Sequence, residues 1–124
     1  MPGSGGRPQR ERIYSLGVEP DKIPDPGNAG AIDVTRSGYC LIVTAQAETR
    51  TLARPSFVGQ VLDIIMQTDG GDGVITVTGT INQTGNNTIT LNDAGDHVRL
   101  VGSLSGTTLQ WKVTTNDTAT LSSV

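Results

Sequence analysis

The sequence predicts an all-β fold, either an antiparallel sandwich or a small, jelly-roll-like barrel, with an extended N-terminal arm. Between residues 59 and 113 apolar residues recur at every second position, which is the period of a strand that has one face on a core and the other in water. Sixteen glycines and a second half rich in Thr and Asn are typical of many tight turns. No amphipathic helix of three turns can be drawn in residues 31–124.

The chain has 124 residues, the length of one domain. We expect residues 1–30 to form the arm and residues 31–124 to form a single β domain. Residues 1–12 contain no apolar residue after Met1, so burial cannot offset the entropy lost on ordering them, and we expect them to be flexible. With 3% aromatic residues, the core of the β domain must consist of Val, Ile and Leu. A core this small would gain from apolar area buried between subunits.

The predicted strands are short and are separated by turn residues. They cover residues 32–34, 39–43, 48–52, 59–66, 74–81, 88–91, 97–104, 109–113 and 119–121. Residues 48–52 are typical of an edge strand that Pro55 ends, and residues 69–73 are predicted to form a hairpin turn. Residues 39–43 are apolar on both faces, which predicts a strand whose second face meets a partner.

Charge and cysteine content exclude several classes of protein. A formal charge of −3 indicates neither a basic surface for nucleic acid nor a strongly acidic one. Cys40 is the only cysteine, so there is no internal disulfide, and its apolar surroundings predict that it packs as a small hydrophobic residue. No signal peptide or membrane-spanning stretch is visible, so we expect a protein that matures in the cytoplasm and has no membrane partner.

No group of residues has the spacing of a catalytic or metal site, so we do not expect an enzyme, a metal or a cofactor. His97 lies beside Asp96, but adjacent residues of a strand point to opposite faces, and His97 falls with Arg99 on the solvent side. Asp69 and Asp72 are too few to hold calcium. Residues 29–34 are similar to one motif of the trimeric β-fold dUTPases, although the other motifs of that family are missing.

Two further residue types have both a structural and a binding interpretation. Trp111 could be a platform for sugar stacking, but it shares its parity with Leu109 and Val113, which predicts that it lies in the core. The loop asparagines could bind glycan hydroxyls, although turn formation is the simpler role. These asparagines are Asn82, Asn86, Asn87 and Asn116.

Residues 48–121 resemble small structural proteins of tailed bacteriophages, a group that includes capsid decoration (cement) proteins, head fibres and tail-fibre segments. The resemblance depends on the order of short motifs: Thr51-Leu52, Pro55, Gly59-Gln60, a Thr-rich hairpin, Thr88-Ile89-Thr90-Leu91, Asp93-Ala94-Gly95-Asp96, Val98-Arg99-Leu100 and Leu109-Gln110-Trp111-Lys112-Val113.

Among these relatives the decoration protein fits best, because the chain has one β module and no heptad repeat of a fibre shaft. The resemblance implies a homotrimer on the outer surface of the virion, bound to the major capsid protein, which stabilises the head by burying area across the joints between capsomers. Nucleic acid is not an expected partner. The alternative is a fibre tip or lectin-like module that binds a glycan of the host surface.

The residues predicted to contact the capsid or a neighbouring subunit come from the arm and from the doubly apolar strand. They are Arg7, Arg10, Arg12, Ile13, Tyr14, Leu16, Ile23, Tyr39 and Leu41. The three arginines also fit a solvated tail, which leaves their role open.

Overall fold

The structure, a computed structural model, describes residues 21–124 and contains ten strands and no helix within that range. The strands are β1 (Asp21–Ile23), β2 (Gly30–Ile32), β3 (Gly38–Thr44), β4 (Glu48–Leu52), β5 (Val61–Asp69), β6 (Gly73–Val77), β7 (Thr88–Leu91), β8 (His97–Ser105), β9 (Thr108–Asp117) and β10 (Thr120–Ser122). They form two five-stranded sheets around one core. The predicted all-β class and its sandwich form are confirmed.

The two sheets are mixed, whereas the sequence predicted antiparallel sheets. Sheet 1 has the order β1-β3-β5-β8-β9, and sheet 2 has the order β10-β7-β6-β4-β2. As far as β6, consecutive strands alternate between the sheets, so neighbours within a sheet run parallel. The later pairs are antiparallel. The prediction of an edge strand at residues 48–52 was also wrong, because β4 lies between β2 and β6.

Short crossovers between the sheets cause this alternation. Residues 45–47 carry the chain from β3 to β4, and residues 70–72 carry it from β5 to β6. A Cβ atom on Gly70 would lie 2.3 Å from the Thr44 carbonyl oxygen, and one on Gly71 would lie 2.4 Å from the Gln46 carbonyl carbon. These glycines therefore let two crossovers pack together, and the hairpin turn predicted at residues 69–73 was wrong.

The strand directions give the sandwich two distinct ends. We call one the turn end, which holds the connections 24–29, 45–47, 70–72, 92–96 and 118–119. We call the other the arm end, which holds the start of β1 and the connections 33–37, 53–60, 78–87 and 106–107. Residues 1–20 precede β1 and therefore join the sandwich at the arm end.

Inward side chains of both sheets fill the core with the predicted period of two. Leu62, Ile64 and Met66 are buried as predicted, and so is Trp111, whose Nε1 donates to the Ala53 carbonyl oxygen at 2.8 Å. Cys40 is fully buried, and burial raises the pKa of its thiol to about 11. The prediction that Cys40 packs as a hydrophobic residue is confirmed.

The sandwich begins ten residues before the predicted boundary at residue 31. Asp21–Ile23 forms β1, which pairs with β3, and the side chain of Ile23 is fully buried in the core. Asp25 accepts hydrogen bonds from Arg50 of β4. Residues 21–30 are therefore part of the β domain, and the remainder of the predicted arm, residues 1–20, lies outside the described residues.

One long strand forms an edge of sheet 1. β9 pairs only with β8, and a bulge interrupts this pairing, because Arg99 faces Thr115 while Leu100 faces Val113. Thr114 is the extra residue. The three other edge strands, β1, β2 and β10, have three residues each.

Candidate interaction surfaces

The structure accounts for three of the nine predicted contact residues. Ile23 is buried inside its own chain, which corrects its prediction as a contact with a partner. Tyr39 and Leu41 are half-buried on the outer face of sheet 1, opposite to the buried Cys40 and Ile42, and their role as contacts stays a prediction. The other six lie outside the described residues: Arg7, Arg10, Arg12, Ile13, Tyr14 and Leu16.

The outer faces of the two sheets differ in chemistry. Sheet 2 presents Thr49, Thr51, Val74, Thr76 and Thr90, a composition that suits a solvated face. Sheet 1 presents a group of half-buried apolar side chains that we call the outer apolar patch: Tyr39, Leu41, Val61, Ile65 and Val101. Within the patch, Leu41 is the cross-strand neighbour of Ile65, and Val61 is the neighbour of Val101.

A charged cluster lies within this patch. Asp63 Oδ1 is 2.8 Å from His97 Nε2 and 3.0 Å from Arg99 Nε, and Asp63 Oδ2 is 3.1 Å from Arg99 Nη2. Partial burial opposes ionisation of Asp63, but the hydrogen bonds and charge of Arg99 and His97 lower the pKa of this carboxyl below its usual value. Asp63 is flanked by Tyr39 on β3 and by Arg99 on β8.

This cluster joins Asp63 to His97 and Arg99 and lacks the third partner of a hydrolytic triad among the described residues. A hydrolytic triad needs a nucleophile bonded to the histidine. Within residues 21–124 no hydroxyl or thiol is hydrogen-bonded to His97. The prediction that His97 lies with Arg99 on the outer face, opposite to Asp96, is confirmed. Asp63 was missed as their partner because the pairing depends on the register of β5 against β8.

Sequence reasoning also missed a buried ion pair at the turn end. Arg50 points into the core and is 1% exposed. Its Nε and Nη2 donate to Asp25 at 2.7 and 3.0 Å, and Nη2 also donates to the Val43 carbonyl oxygen at 3.1 Å. Nη1 lies 3.0 Å from Glu48 Oε1, without the angle of a hydrogen bond. The signal was available in the sequence, because Arg50 has the parity of the buried Leu52.

The pKa values of both carboxylates in this ion pair are lowered. Burial raises the pKa of Asp25, but the Arg50 hydrogen bonds and the N–H groups of Val43 and Gly27 outweigh burial and lower it. The pKa of Glu48 is lowered by the N–H of Ala45 and by Arg50. Asp25 and Glu48 therefore stay ionised at neutral pH, and the pair fastens the 24–29 connection to the sheets.

Asp96 fastens a second part of the turn end. Its Oδ2 accepts the N–H groups of Asn92 at 2.8 Å and Asp93 at 3.1 Å, and its Oδ1 accepts the hydroxyl of Thr118. Thr118 has a φ of 66°, which is rare for a β-branched residue, and this hydrogen bond holds it there. Burial raises the pKa of Asp96, but these three hydrogen bonds lower it below 3.8.

The lowered pKa of Asp96 predicts a loss of stability in acid. Because the folded pKa lies below the unfolded value, the stabilisation is complete above about pH 4 and is lost as the pH falls through the folded pKa. We expect Asp96→Asn to lower the free energy of unfolding by about 1–3 kcal/mol at pH 7. Urea titrations between pH 7 and pH 2.5 should show this difference shrinking below pH 4.

Asp93→Asn is the matched control for Asp96→Asn, since Asp93 belongs to the same turn and is exposed. Its free energy of unfolding should stay close to that of the wild type at every pH. An Asp96→Asn variant whose deficit persisted unchanged at pH 2.5 would contradict the assigned role of the carboxylate.

The loop asparagines have mainly structural roles. Asn82 Oδ1 accepts the N–H groups of Gly85 and Asn86, and its Nδ2 donates to Asn86 Oδ1 at 2.9 Å. Asn87 Oδ1 accepts the N–H of Val124 at 3.1 Å. Asn116 exchanges two hydrogen bonds with the backbone of Ala119. The turn-forming interpretation is confirmed for Asn82, Asn86 and Asn116, whereas Asn87 holds the C-terminal segment.

The arm end contains a groove and several exposed apolar side chains. Phe57, Val58 and Leu104 are 46%, 59% and 55% exposed. The groove has a volume of about 310 Å³ and lies between the 78–87 connection and the β8–β9 hairpin. Amides, hydroxyls and one ammonium group line it, including Thr80, Gln83, Ser105, Gln110 and Lys112.

Neither a scan of protein-family models nor a search of curated proteins found a match to this chain. Within residues 21–124 no three His, Cys, Asp or Glu side chains are grouped as metal ligands. The same residues contain no helix that is long and apolar enough to span a membrane.

Proposed function

We propose that this chain is a structural protein of a tailed-bacteriophage virion, a capsid decoration protein that binds the outer surface of the head as a homotrimer. The outer apolar patch of sheet 1 carries the proposal. A sheet face in contact with water is usually polar, as the Thr-rich face of sheet 2 is. A face that combines Tyr39, Leu41, Val61, Ile65 and Val101 is instead suited to burial against protein.

The resemblance of residues 48–121 to phage structural modules indicates the class of protein. The sandwich, which has no helix within residues 21–124, is consistent with that class. A decoration protein reinforces the head through the surface that it buries against the capsid, and this role requires no catalysis. Each trimer would bridge neighbouring copies of the major capsid protein, so that internal pressure must break those contacts before the shell opens. Contacts of about 1,600 Å² each, repeated over a head, would stabilise it without any single strong bond.

We expect light scattering of the purified chain to give about 39 kDa, the mass of three 12.9-kDa subunits. Leu41→Lys should give the monomer mass, because it introduces a charge into the apolar patch, where an unpaired buried ammonium is costly. The measurement is size-exclusion chromatography with multi-angle light scattering at several concentrations.

Thr51→Lys is the matched control, since it introduces the same charge on the outer face of sheet 2. It should leave the trimer intact. A wild type that stays at 12.9 kDa at every concentration would contradict the trimer. Cryo-electron microscopy of particles with and without the protein tests attachment to the head directly, whatever the oligomeric state in solution.

A second candidate function is supported by the groove at the arm end. Its amides and hydroxyls, together with Lys112, are groups that bind sugar hydroxyls, which is consistent with a fibre tip or lectin-like module for a host-surface glycan. Asn86 and Asn116 are less suitable, because they bond within their own turns, and Asn87 is held by the N–H of Val124. Under this alternative, Gln110→Ala would abolish glycan binding and leave the stability of the particle unchanged.

A further inference from the structure

The two ends of the sandwich carry opposite charge. Among the described residues of the turn end, Arg50 is the only Lys or Arg beside seven carboxylates, which gives −6: Asp25, Glu48, Asp69, Asp72, Asp93, Asp96 and Asp117. Asp63 and Arg99 cancel near the middle of sheet 1. The formal charge of the chain is −3, so the remaining residues carry +3.

The positive remainder belongs to the arm end and to the residues that precede β1. It comprises Arg7, Arg10, Arg12, Lys22, Arg36, Arg54 and Lys112 against Glu11, Glu19, Asp21 and Asp33. Lys112 belongs to this end because it pairs with Val101, which in turn pairs with Val61 at the start of β5. Within residues 21–124 the arm end carries four of these cations against Asp21 and Asp33, which gives +2, so the described sandwich is an electric dipole along its strands with its positive pole at the arm end.

The arm end also carries most of the exposed apolar side chains among the described residues. Five large apolar side chains of the described residues are exposed, and four of them lie at the arm end: Phe57, Val58, Leu104 and Val124. Phe57 and Val58 come from the 53–60 connection and Leu104 from the end of β8, where it lines the groove beside Lys112. The turn end has short connections, and Val43 near the end of β3 is the one exposed large apolar residue described there.

We propose that the arm end is the docking face of this protein and that it binds a protein surface with carboxylates around an apolar recess, while the acidic turn end points away. Exposed apolar residues next to cationic side chains form the centre and rim of a protein interface. Opposite charge on the partner orients the approach, because the turn end is repelled by the surface that attracts the arm end. The identity of that partner as a phage head rests on the proposed function.

A binding assay tests the docking face directly. The probe is the empty head of the virus that encodes the chain, prepared from particles that lack this protein. Two double variants add the same charge at opposite ends. Phe57→Asp with Leu104→Asp changes the arm end, and Ala47→Asp with Ala94→Asp changes exposed positions of the turn end. We expect the arm-end variant to bind at least tenfold more weakly than the wild type and the turn-end variant to bind within threefold of it.

Near-UV circular dichroism of Trp111 reports whether each variant is folded. If the arm-end double variant does not fold, Lys112→Glu, a change of an exposed residue at the same end, takes its place. Loss of binding by the turn-end variant alone would overturn the docking face and leave the proposed function intact. A wild type that does not bind heads would overturn both.

The alternative partner for the arm end is a second copy of this chain. Sedimentation of the purified chain alone tests this alternative. If the positive arm end of one copy bound the acidic turn end of the next, the contact would be head-to-tail and would not close. The mass would then rise continuously with protein concentration, and that result would overturn the assignment to a different protein. We expect a mass that stays at one closed oligomer.

Discussion

Replacing Arg50 by methionine is expected to lower the free energy of unfolding by about 3–5 kcal/mol. The substitution leaves Asp25 and Glu48, with side chains 17% and 10% exposed, without the guanidinium that holds them. Two unpaired carboxylates at the margin of the core cost more than the pair itself contributes. The measurement is equilibrium unfolding in urea at pH 7.

Two comparisons separate the charge effect from a loss of packing. Asp25→Asn combined with Arg50→Met removes the main unpaired carboxylate and should recover part of the lost stability. Arg99→Met breaks the outer ion pair with Asp63, in which the arginine is 52% exposed, and should cost much less than Arg50→Met because solvent screens the pair. If Arg50→Met and Arg99→Met had equal effects, the buried pair would not have the importance assigned to it here.

The Arg50→Met deficit should also depend on pH. Arg50 lowers the pKa of Asp25 and Glu48, so its contribution is present above their unfolded pKa values and is lost as the pH falls through the folded ones. Wild type and variant should therefore converge in stability below about pH 4.

Replacing Trp111 by alanine is the second change with a large expected effect, about 3–5 kcal/mol. Trp111 is the largest fully buried side chain, and it fills the core beside Gly102 of β8. Its indole also holds the 53–60 connection through the hydrogen bond to Ala53. Because Trp111 is the only tryptophan, unfolding of the variant must be followed by far-UV circular dichroism.

Trp111→Phe separates the two contributions of this side chain. Phenylalanine keeps most of the apolar volume but leaves the Ala53 carbonyl oxygen without its donor, which costs about 1–3 kcal/mol. We expect its stability to lie between those of the wild type and Trp111→Ala. Equal losses for the two variants would mean that the hydrogen bond, and not the packing of the ring, accounts for the effect.

Alternation of side chains was sufficient to predict which residues form the core. Leu62, Ile64, Met66 and Trp111 are buried as their parity predicts, because only one face of each strand meets the other sheet. The same alternation predicted the position of nearly every strand from β3 onward. It missed β1, since three residues next to two prolines contain too little pattern to distinguish a strand from an arm.

Sheet topology could not be predicted from the same pattern. A connection such as residues 70–72 has the length and composition of a hairpin turn, yet it crosses between sheets. What distinguishes the two is the packing of Gly70 and Gly71 against the neighbouring crossover, and this contact involves residues more than twenty positions away. Local sequence does not contain that information.

The candidate surfaces were predictable only in part. The outer face of β3 followed from residues that are apolar on both parities. The Asp63 cluster required the register of two strands, and the buried Arg50 conflicted with the general rule that arginine faces water. The charge difference between the ends required the directions of all ten strands, which no single segment defines.

The sheet borders have a consequence for how this protein behaves at high concentration. Unpaired strand borders are templates on which other chains add and aggregate. Among the described residues β1, β2 and β10 span only three residues each, and the fourth border strand, β9, is bent by the bulge at Thr114 and carries Lys112. The molecule thus resists uncontrolled sheet extension, and its broad faces and loops remain available for assembly.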